Sequence, residues 1–413
     1  MKKILISLLA ILLCQSNYAN TQQLFNVTPN GATLNINTVR ANHSYANAGI
    51  KIDSVGYQID SGCTPHTNNY CLFPVSDTQT AGITFSGPTG TLSAILCLDG
   101  LKPLSCQYFK NISVSPAAAA RYIYVATPYG PTSIFVCTVN PTSQVITACT
   151  DAGGGPTLST VNPQGIALNN TNTRAYISDG NGSSDIYQCD INSNDGTFSS
   201  CMQTTITTPS SYSGDGYGML TINNNNTLAY LLDTHNNDQV DICPVTAGVI
   251  SNICVTSNLP NTNSQSGEGI AINRAANTIY VADYGDGVYV CDVIGSTVNS
   301  CILKTGGGSV TFSRSATVAL NADESLLYVT DYGNNEVYFC ETTPNGTSGF
   351  DNCSVAATIP NAAGIAINAQ NTMAYVTDFG SNVYSCPIKN DHTFDICTAT
   401  SGFTGSIGVA IGY

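Results

Sequence analysis

Two carboxylates, an imidazole, an amide and four aromatic rings stand where a repeated pattern breaks. They are Asp215, Glu268, His235, Gln164, Tyr217, Tyr284, Tyr332 and Phe379. Carboxylate oxygens suit a hard cation such as Ca2+, and a cation held there polarises a carbonyl as a Lewis acid. Glu268 is the candidate metal ligand. The rings offer apolar faces with polar tips, the usual lining of a ligand or partner surface. Their competing role is packing against a neighbouring element. No catalytic residue is assigned, because the chain has no GxSxG elbow, no phosphate-binding loop and no paired His/Cys nucleophile. The four histidines, His43, His66, His235 and His392, lie far apart in the sequence.

The pattern those residues break is a four-strand unit. Gly269 to Asn273, Ile279 to Asp283, Gly287 to Cys291 and Val298 to Cys301 are runs of β-branched and aromatic residues bounded by turn formers. The second strand recurs six times, at Ile123 to Thr127, Ala175 to Asp179, Ala229 to Asp233, Ile279 to Asp283, Leu327 to Asp331 and Ala374 to Asp378. The first strand precedes five of these copies. Its sixth copy, Gly408 to Gly412, comes at the end of the chain with no second strand after it. The first repeat, from Arg121 onward, lacks a first strand.

A chain that ends on the strand missing from its beginning closes a ring by pairing its ends. Sheets arranged radially and closed in this way form a β-propeller. Residues 117–413 divide into six units of about fifty residues, within the range of a four-stranded blade. The expected fold is therefore all-β: a six-bladed β-propeller closed by its C-terminal strand. Loops entering the first strand and joining the second to the third form its top face, which is where the eight residues above fall. The Asp ending five second strands, Asp179, Asp233, Asp283, Asp331 and Asp378, recurs with the repeat, so it reads as an Asx-turn acceptor ahead of a cation site. Asn169, Asn223, Asn273, Asn321 and Asn368 end first strands in the same manner.

Of 17 cysteines, Cys14 lies in the N-terminal apolar segment and 16 remain, an even number that reads as eight disulfides in an exported protein. Each repeat carries one pair: Cys137/Cys149, Cys189/Cys201, Cys243/Cys254, Cys291/Cys301, Cys340/Cys353 and Cys386/Cys397. A hairpin of third and fourth strands places such pairs opposite each other and clamps the outer edge. Residues 20–115 read differently, as short alternating strands of a small β-sandwich of Ig-like type. Cys63, Cys71, Cys97 and Cys106 there allow three pairings. Joining neighbours, which closes a hairpin each time, is the expectation.

Residues 1–19 read as a signal peptide: Lys2 and Lys3, an apolar run from Ile4 to Leu13, and Asn17-Tyr18-Ala19 as the cleavage site. Cys14 follows Leu12-Leu13, where a lipid-anchoring signal has a small residue, so the anchor is the less favoured reading. The run is too short to span a bilayer, and no later segment is apolar enough to do so. The expected location is secreted or periplasmic, in the cell envelope. Without Lys2 and Lys3 the 12 basic residues fall to 10 against 26 acidic ones, a net charge of −16. That excludes nucleic acid and anionic membranes as expected partners.

The strings from Leu327 to Tyr338 (LYVTDYGNNEVY) and from Ala374 to Tyr384 (AYVTDFGSNVY) resemble the repeats of six-bladed NHL and YWTD propellers. The resemblance covers 117–413 and implies a repeat architecture whose relatives include receptors, scaffolds and enzymes. In-blade disulfides depart from both patterns and suggest a secreted bacterial branch. In the YWTD family the matching Asp is structural. Six-bladed lactonases of the gluconolactonase and paraoxonase type hold a divalent cation at the channel with Glu, Asn and Asp, and lyase-like propellers use histidines. Here Ala316, Ala363 and Ile407 occupy three first-strand mouth positions, which leaves a thin ligand set. The leading expectation is a monomeric, non-enzymatic binding protein without a cofactor, recognising a protein or glycan through the top face. A Ca2+-type cation-dependent lactone or ester hydrolase is the alternative.

Overall fold

The computed structural model describes residues 25–30, 33–38, 48–52, 58–61, 63–65, 70–73, 81–86, 90–98, 106–114, 121–130, 133–154, 158, 161–180, 184–207, 216–233, 239–260, 267–285, 287–343 and 349–413. All regular structure among them is β, and no helix there is long and apolar enough to cross a membrane. The signal-peptide reading falls outside the described residues. The chain divides into two compact units, 1–118 and 119–413.

In the first unit, alternating residues build two antiparallel sheets. One has the order Phe25–Asn30, Thr33–Thr38, Ala81–Ser86, Gln58–Ser61, and the other Thr64–Pro65, Cys71–Phe73, Ala48–Ile52, Gly90–Leu98, Cys106–Val114. Phe25, Leu34, Ile36 and Ile83 from one sheet and Ile50, Phe73, Ala94 and Leu96 from the other share a single core, as the period of two requires. Cys63 bonds Cys71 and Cys97 bonds Cys106.

Among the described residues the second unit holds six antiparallel sheets of four principal strands each, besides a two-stranded one of Gly306–Gly307 and Val310–Thr311. In chain order their second strands are Tyr122–Ala126, Arg174–Asp179, Leu228–Asp233, Thr278–Asp283, Leu326–Asp331 and Met373–Asp378. Sheets two to six take their first strands from Pro163–Leu168, Tyr217–Ile222, Gly267–Ile272, Ser315–Leu320 and Ala362–Ile367. Sheet one takes its first strand from the chain's end: Val409–Gly412 pairs with Tyr122–Ala126, with Val409 opposite Val125 and Ile411 opposite Ile123. Each first strand touches the next around the unit, and Val409–Gly412 touches both Ala362–Ile367 and Pro163–Leu168, so the set closes on itself. Ile166, Leu220, Ile270, Val318, Ile365 and Val409, one from each of these strands, line a cavity of about 70 Å³. Glycine lets them approach: a Cβ on Gly269 would stand 2.5 Å from Thr317 Cα.

Repeated residues also tie sheet to sheet. The second-strand tyrosines are buried, and three of their hydroxyls donate to turns of the following sheet: Tyr124 to Gly196 O at 2.7 Å, Tyr176 to Gly248 O at 3.0 Å, and Tyr375 across the closure to Gln144 O at 2.6 Å. Tyr230 breaks the series, its buried hydroxyl lacking a partner. The hairpin it faces has its cysteines only 10 residues apart, the closest of the six pairs. Bonded pairs in this unit are Cys137–Cys149, Cys189–Cys201, Cys243–Cys254, Cys291–Cys301, Cys340–Cys353 and Cys386–Cys397. Every third-strand cysteine is fully buried. In sheets three and six the second cysteine stands immediately before the outer strand, at Val255–Asn258 and Thr398–Ser401, and not inside it.

These tyrosines carry a pH prediction. Burial pushes Tyr280 and Tyr413 up to about 12 from an ordinary 10.0, and it raises Tyr124, Tyr328 and Tyr375 as well. The folded state thus keeps protons that the unfolded state gives up, so their contribution is fully present below pH 10 and is lost as pH rises through about 12. Urea midpoints measured against pH should stay level with respect to these groups up to about pH 10 and then fall. Tyrosinate absorbance from the buried set should appear only with unfolding.

Candidate functional site

The site is built on the turns that leave the second strands. Asp331 is fully buried, and its carboxylate accepts the N–H groups of Ser313 at 2.7 Å, Arg314 at 3.1 Å and Asn334 at 2.9 Å. Asp378 accepts from Gly380 and Asn382 at 3.1 and 2.8 Å, and Asp179 accepts from Asn162 at 3.1 Å. These carboxylates satisfy backbone donors, as an Asx-turn does, so they fix the turns. The first-strand asparagines act alike: Asn368 Oδ1 accepts from Thr372 and Met373 at 2.8 and 3.0 Å.

What the turns present is an arc of rings. Tyr284, Tyr332 and Phe379 each follow the repeated Asp of sheets four, five and six. Ring centroids of Tyr284 and Tyr332 are 6.1 Å apart, those of Tyr332 and Phe379 are 6.2 Å apart, and Tyr129 of sheet one continues the arc 6.0 Å from Phe379. Tyr129 and Phe379 are 60% and 42% exposed, so these rings are not consumed by the core. Tyr284, Tyr332 and Phe379 wall a cavity of about 140 Å³ floored by Ala316, Thr317, Ala363 and Ile407. The small residues that thin out a metal site therefore make a cup.

Arg314 closes one end of the arc. Its guanidinium carbon lies 5.2 Å from the Tyr284 centroid, and Nη1 donates to the Tyr284 hydroxyl at 3.4 Å. Its carbonyl accepts the Tyr332 N–H at 2.8 Å, which ties it to the second wall.

Of the remaining candidates, the two described ones, Gln164 and Tyr217, do not line this cup. Gln164 is half-buried in sheet two, with Nε2 3.5 Å from Asn162 Oδ1. Tyr217 corrects its expected place on the top face: it is 3% exposed and donates to Asp241 Oδ2 at 2.6 Å, within an inter-sheet core. At the strand's first position its side chain faces the adjacent sheet's layer, where burial holds a phenol better than water does. Asp215 and His235 lie outside the described residues, as does the side chain of Glu268, whose backbone belongs to Gly267–Ile272. Among the described residues no three His, Cys, Asp or Glu side chains gather as a metal would need. Tyr129 and Arg314 were missed in sequence. Tyr129 carried a signal, since Thr127-Pro128-Tyr129 is the one second-strand exit without Asp.

No family model and no curated protein sequence matches the chain. Among solved structures it is similar to the periplasmic gluconolactonase PpgL of Pseudomonas aeruginosa, with a TM-score of 0.52 at 10% identity over 71% of this chain and 99% of that one. A protein from Lactobacillus plantarum matches with a TM-score of 0.48 at 13% identity over 71% of this chain and 99% of that one. A β-propeller domain from Myceliophteria thermophila gives 0.43 at 9% identity over 68% and 83%. The likeness is one of fold: an all-β chain with propeller-type neighbours.

Proposed function

We propose that residues 117–413 form a six-bladed propeller of NHL/YWTD-like repeats, that 20–115 form an Ig-like sandwich, and that the protein is exported to bind a partner through the propeller's mouth. Eight disulfides and the periplasmic neighbour support an oxidising compartment outside the cytoplasm. The observation that carries the binding reading is the cup: a continuous arc from Tyr284 to Tyr129 over an apolar floor. Its volume, about 140 Å³, matches the roughly 150 Å³ that holds one benzene ring. One ring of a glycan, or one side chain of a protein, is the natural occupant. A glycan array and partner capture with the wild type and Tyr332→Ala test this. Binding should fall at least about tenfold in the variant, the cost of roughly 1.4 kcal/mol for a lost ring face. Unaltered binding overturns the cup as the site.

The second reading is a divalent-cation-dependent lactone or ester hydrolase. The likeness to a gluconolactonase supports it more than it supports simple binding. When bound, a cation would supply Lewis-acid polarisation of the carbonyl. The cup's lining offers only hydroxyl oxygens, from Thr317, Tyr284 and Tyr332, and no carboxylate, so it does not make a ligand set. This reading therefore rests on Glu268, with Asp215 and His235. Calorimetric titration of calcium into the metal-stripped, oxidised protein should give one site that disappears in Glu268→Gln. Absence of heat removes the reading's central requirement.

A further inference from the structure

Arg314 is the feature of the mouth that simple ring binding leaves unexplained. In a chain of net charge −14 a guanidinium is held beside an apolar cup through its backbone, its stem and its head. Its backbone N–H is bound by Asp331 at 3.1 Å and its carbonyl accepts from Tyr332 at 2.8 Å. A Cβ on Gly333 would stand 3.2 Å from Arg314 Cγ, so the turn after Asp331 lies against the arginine's stem. The head rests over Tyr284, 5.2 Å from the ring centroid, and spends one N–H on the Tyr284 hydroxyl. Asp331, which holds the Arg314 N–H, is fully buried and engaged with backbone N–H groups and Asn334, and among the described residues no ion pair reaches the guanidinium. A planar fork with donors left over, preorganised at the rim of a ring-sized cup, is the geometry that recognises a carboxylate.

We propose that the cup takes a single six-membered sugar ring bearing a carboxylate, a hexuronate residue of an acidic glycan, with its carboxylate on Arg314. This rests on the binding reading above and names its ligand class. The ring's C–H face meets Tyr332 and Phe379, and the carboxylate meets Arg314 next to Tyr284. The acidic surface does not forbid this, since charges beyond about 8 Å are largely screened at physiological salt while a direct pair is not.

The test titrates methyl glucuronide, its neutral counterpart methyl glucoside, and benzoate into the oxidised protein by calorimetry. The wild type should prefer the glucuronide over the glucoside by at least about tenfold. Arg314→Met keeps the stem, and since Arg314 is exposed the fold should persist. It should abolish the preference for the glucuronide over the glucoside. Arg314→Lys, which keeps the charge without the fork, should restore only part of it. Equal affinities, or a preference that survives Arg314→Met, overturns the proposal. Benzoate binding tighter than the glucuronide overturns the sugar assignment. Binding of neither sugar, with partner binding still sensitive to Tyr332→Ala, overturns this inference alone; indifference to Tyr332→Ala overturns the underlying reading.

Discussion

Full reduction of the eight disulfides should leave the second unit unfolded at 37 °C. Each of its bridges joins a fully buried third-strand cysteine to the outermost strand of the same sheet or to the residue immediately before that strand. The outer strand pairs on one side only. Its side chains are mostly exposed, as in Phe198–Thr205 where Phe198 alone is buried, so little apolar area holds it down. Closing a loop of 10 to 13 residues stabilises by about 2–3 kcal/mol in the chain-entropy model. Six such terms rival the whole margin of about 5–15 kcal/mol by which a folded protein survives. The single pair Cys291→Ala/Cys301→Ala should lower unfolding free energy by about 2–3 kcal/mol. Thermal scans with and without reductant, followed by far-UV circular dichroism, check both. A fully reduced protein that melts within a few degrees of the oxidised one would show that the packed sheets suffice alone.

Deleting residues 409–413 should abolish a single cooperative transition. Val409–Gly412 supplies the missing strand of the first sheet, along Tyr122–Ala126, whose five residues are all buried. The deletion removes Val409 from the central cavity and Ala410 from the core. It also removes Tyr413, whose hydroxyl accepts the Ala369 N–H at 2.7 Å and so staples the last turn to the first sheet. An apolar strand edge is then open to pairing with another chain. The truncated protein should self-associate, and a synthetic peptide of the last residues should restore a monomer by adding its strand back. Calorimetry and sedimentation read this directly. A truncated protein that melts as a monomer at the wild-type temperature would mean that the ends do not close the unit.

Repetition explains what was legible in sequence. The run ending in Tyr-Val-Thr-Asp or its variants marks each second strand because burial on both faces forces the same residue types in every copy. The orphan first strand at Gly408 to Gly412 exposed the pairing of the two ends. Cysteines ten to thirteen residues apart announced hairpin bridges. The mouth was less legible because its residues act across sheets. Tyr284, Tyr332 and Phe379 were recognisable as breaks following the Asp, but only the fold brings Tyr129, more than two hundred residues away in sequence, against Phe379. Tyr217 was recognisable as a break at the mouth position of its repeat, yet its hydroxyl turns inward to Asp241. Arg314 stands immediately before the first strand Ser315–Leu320, and nothing in its spacing announces the Tyr284 face. The small residues Ala316 and Ala363 argued against a cation in sequence; in the fold they are the floor that gives a ring room to enter.

The account stands most directly on the aromatic arc. Phe379 is 42% exposed at its middle, and it touches both Tyr332 and Tyr129. The decisive measurement is the affinity of the wild type, Phe379→Ala and the double variant Tyr332→Ala/Phe379→Ala for whichever glycan or protein the wild type captures, with melting temperatures recorded alongside. Stepwise loss, about tenfold and then near-complete, at unchanged melting temperature is the predicted result. Full affinity in the double variant would place the partner elsewhere and contradict the reading of the mouth.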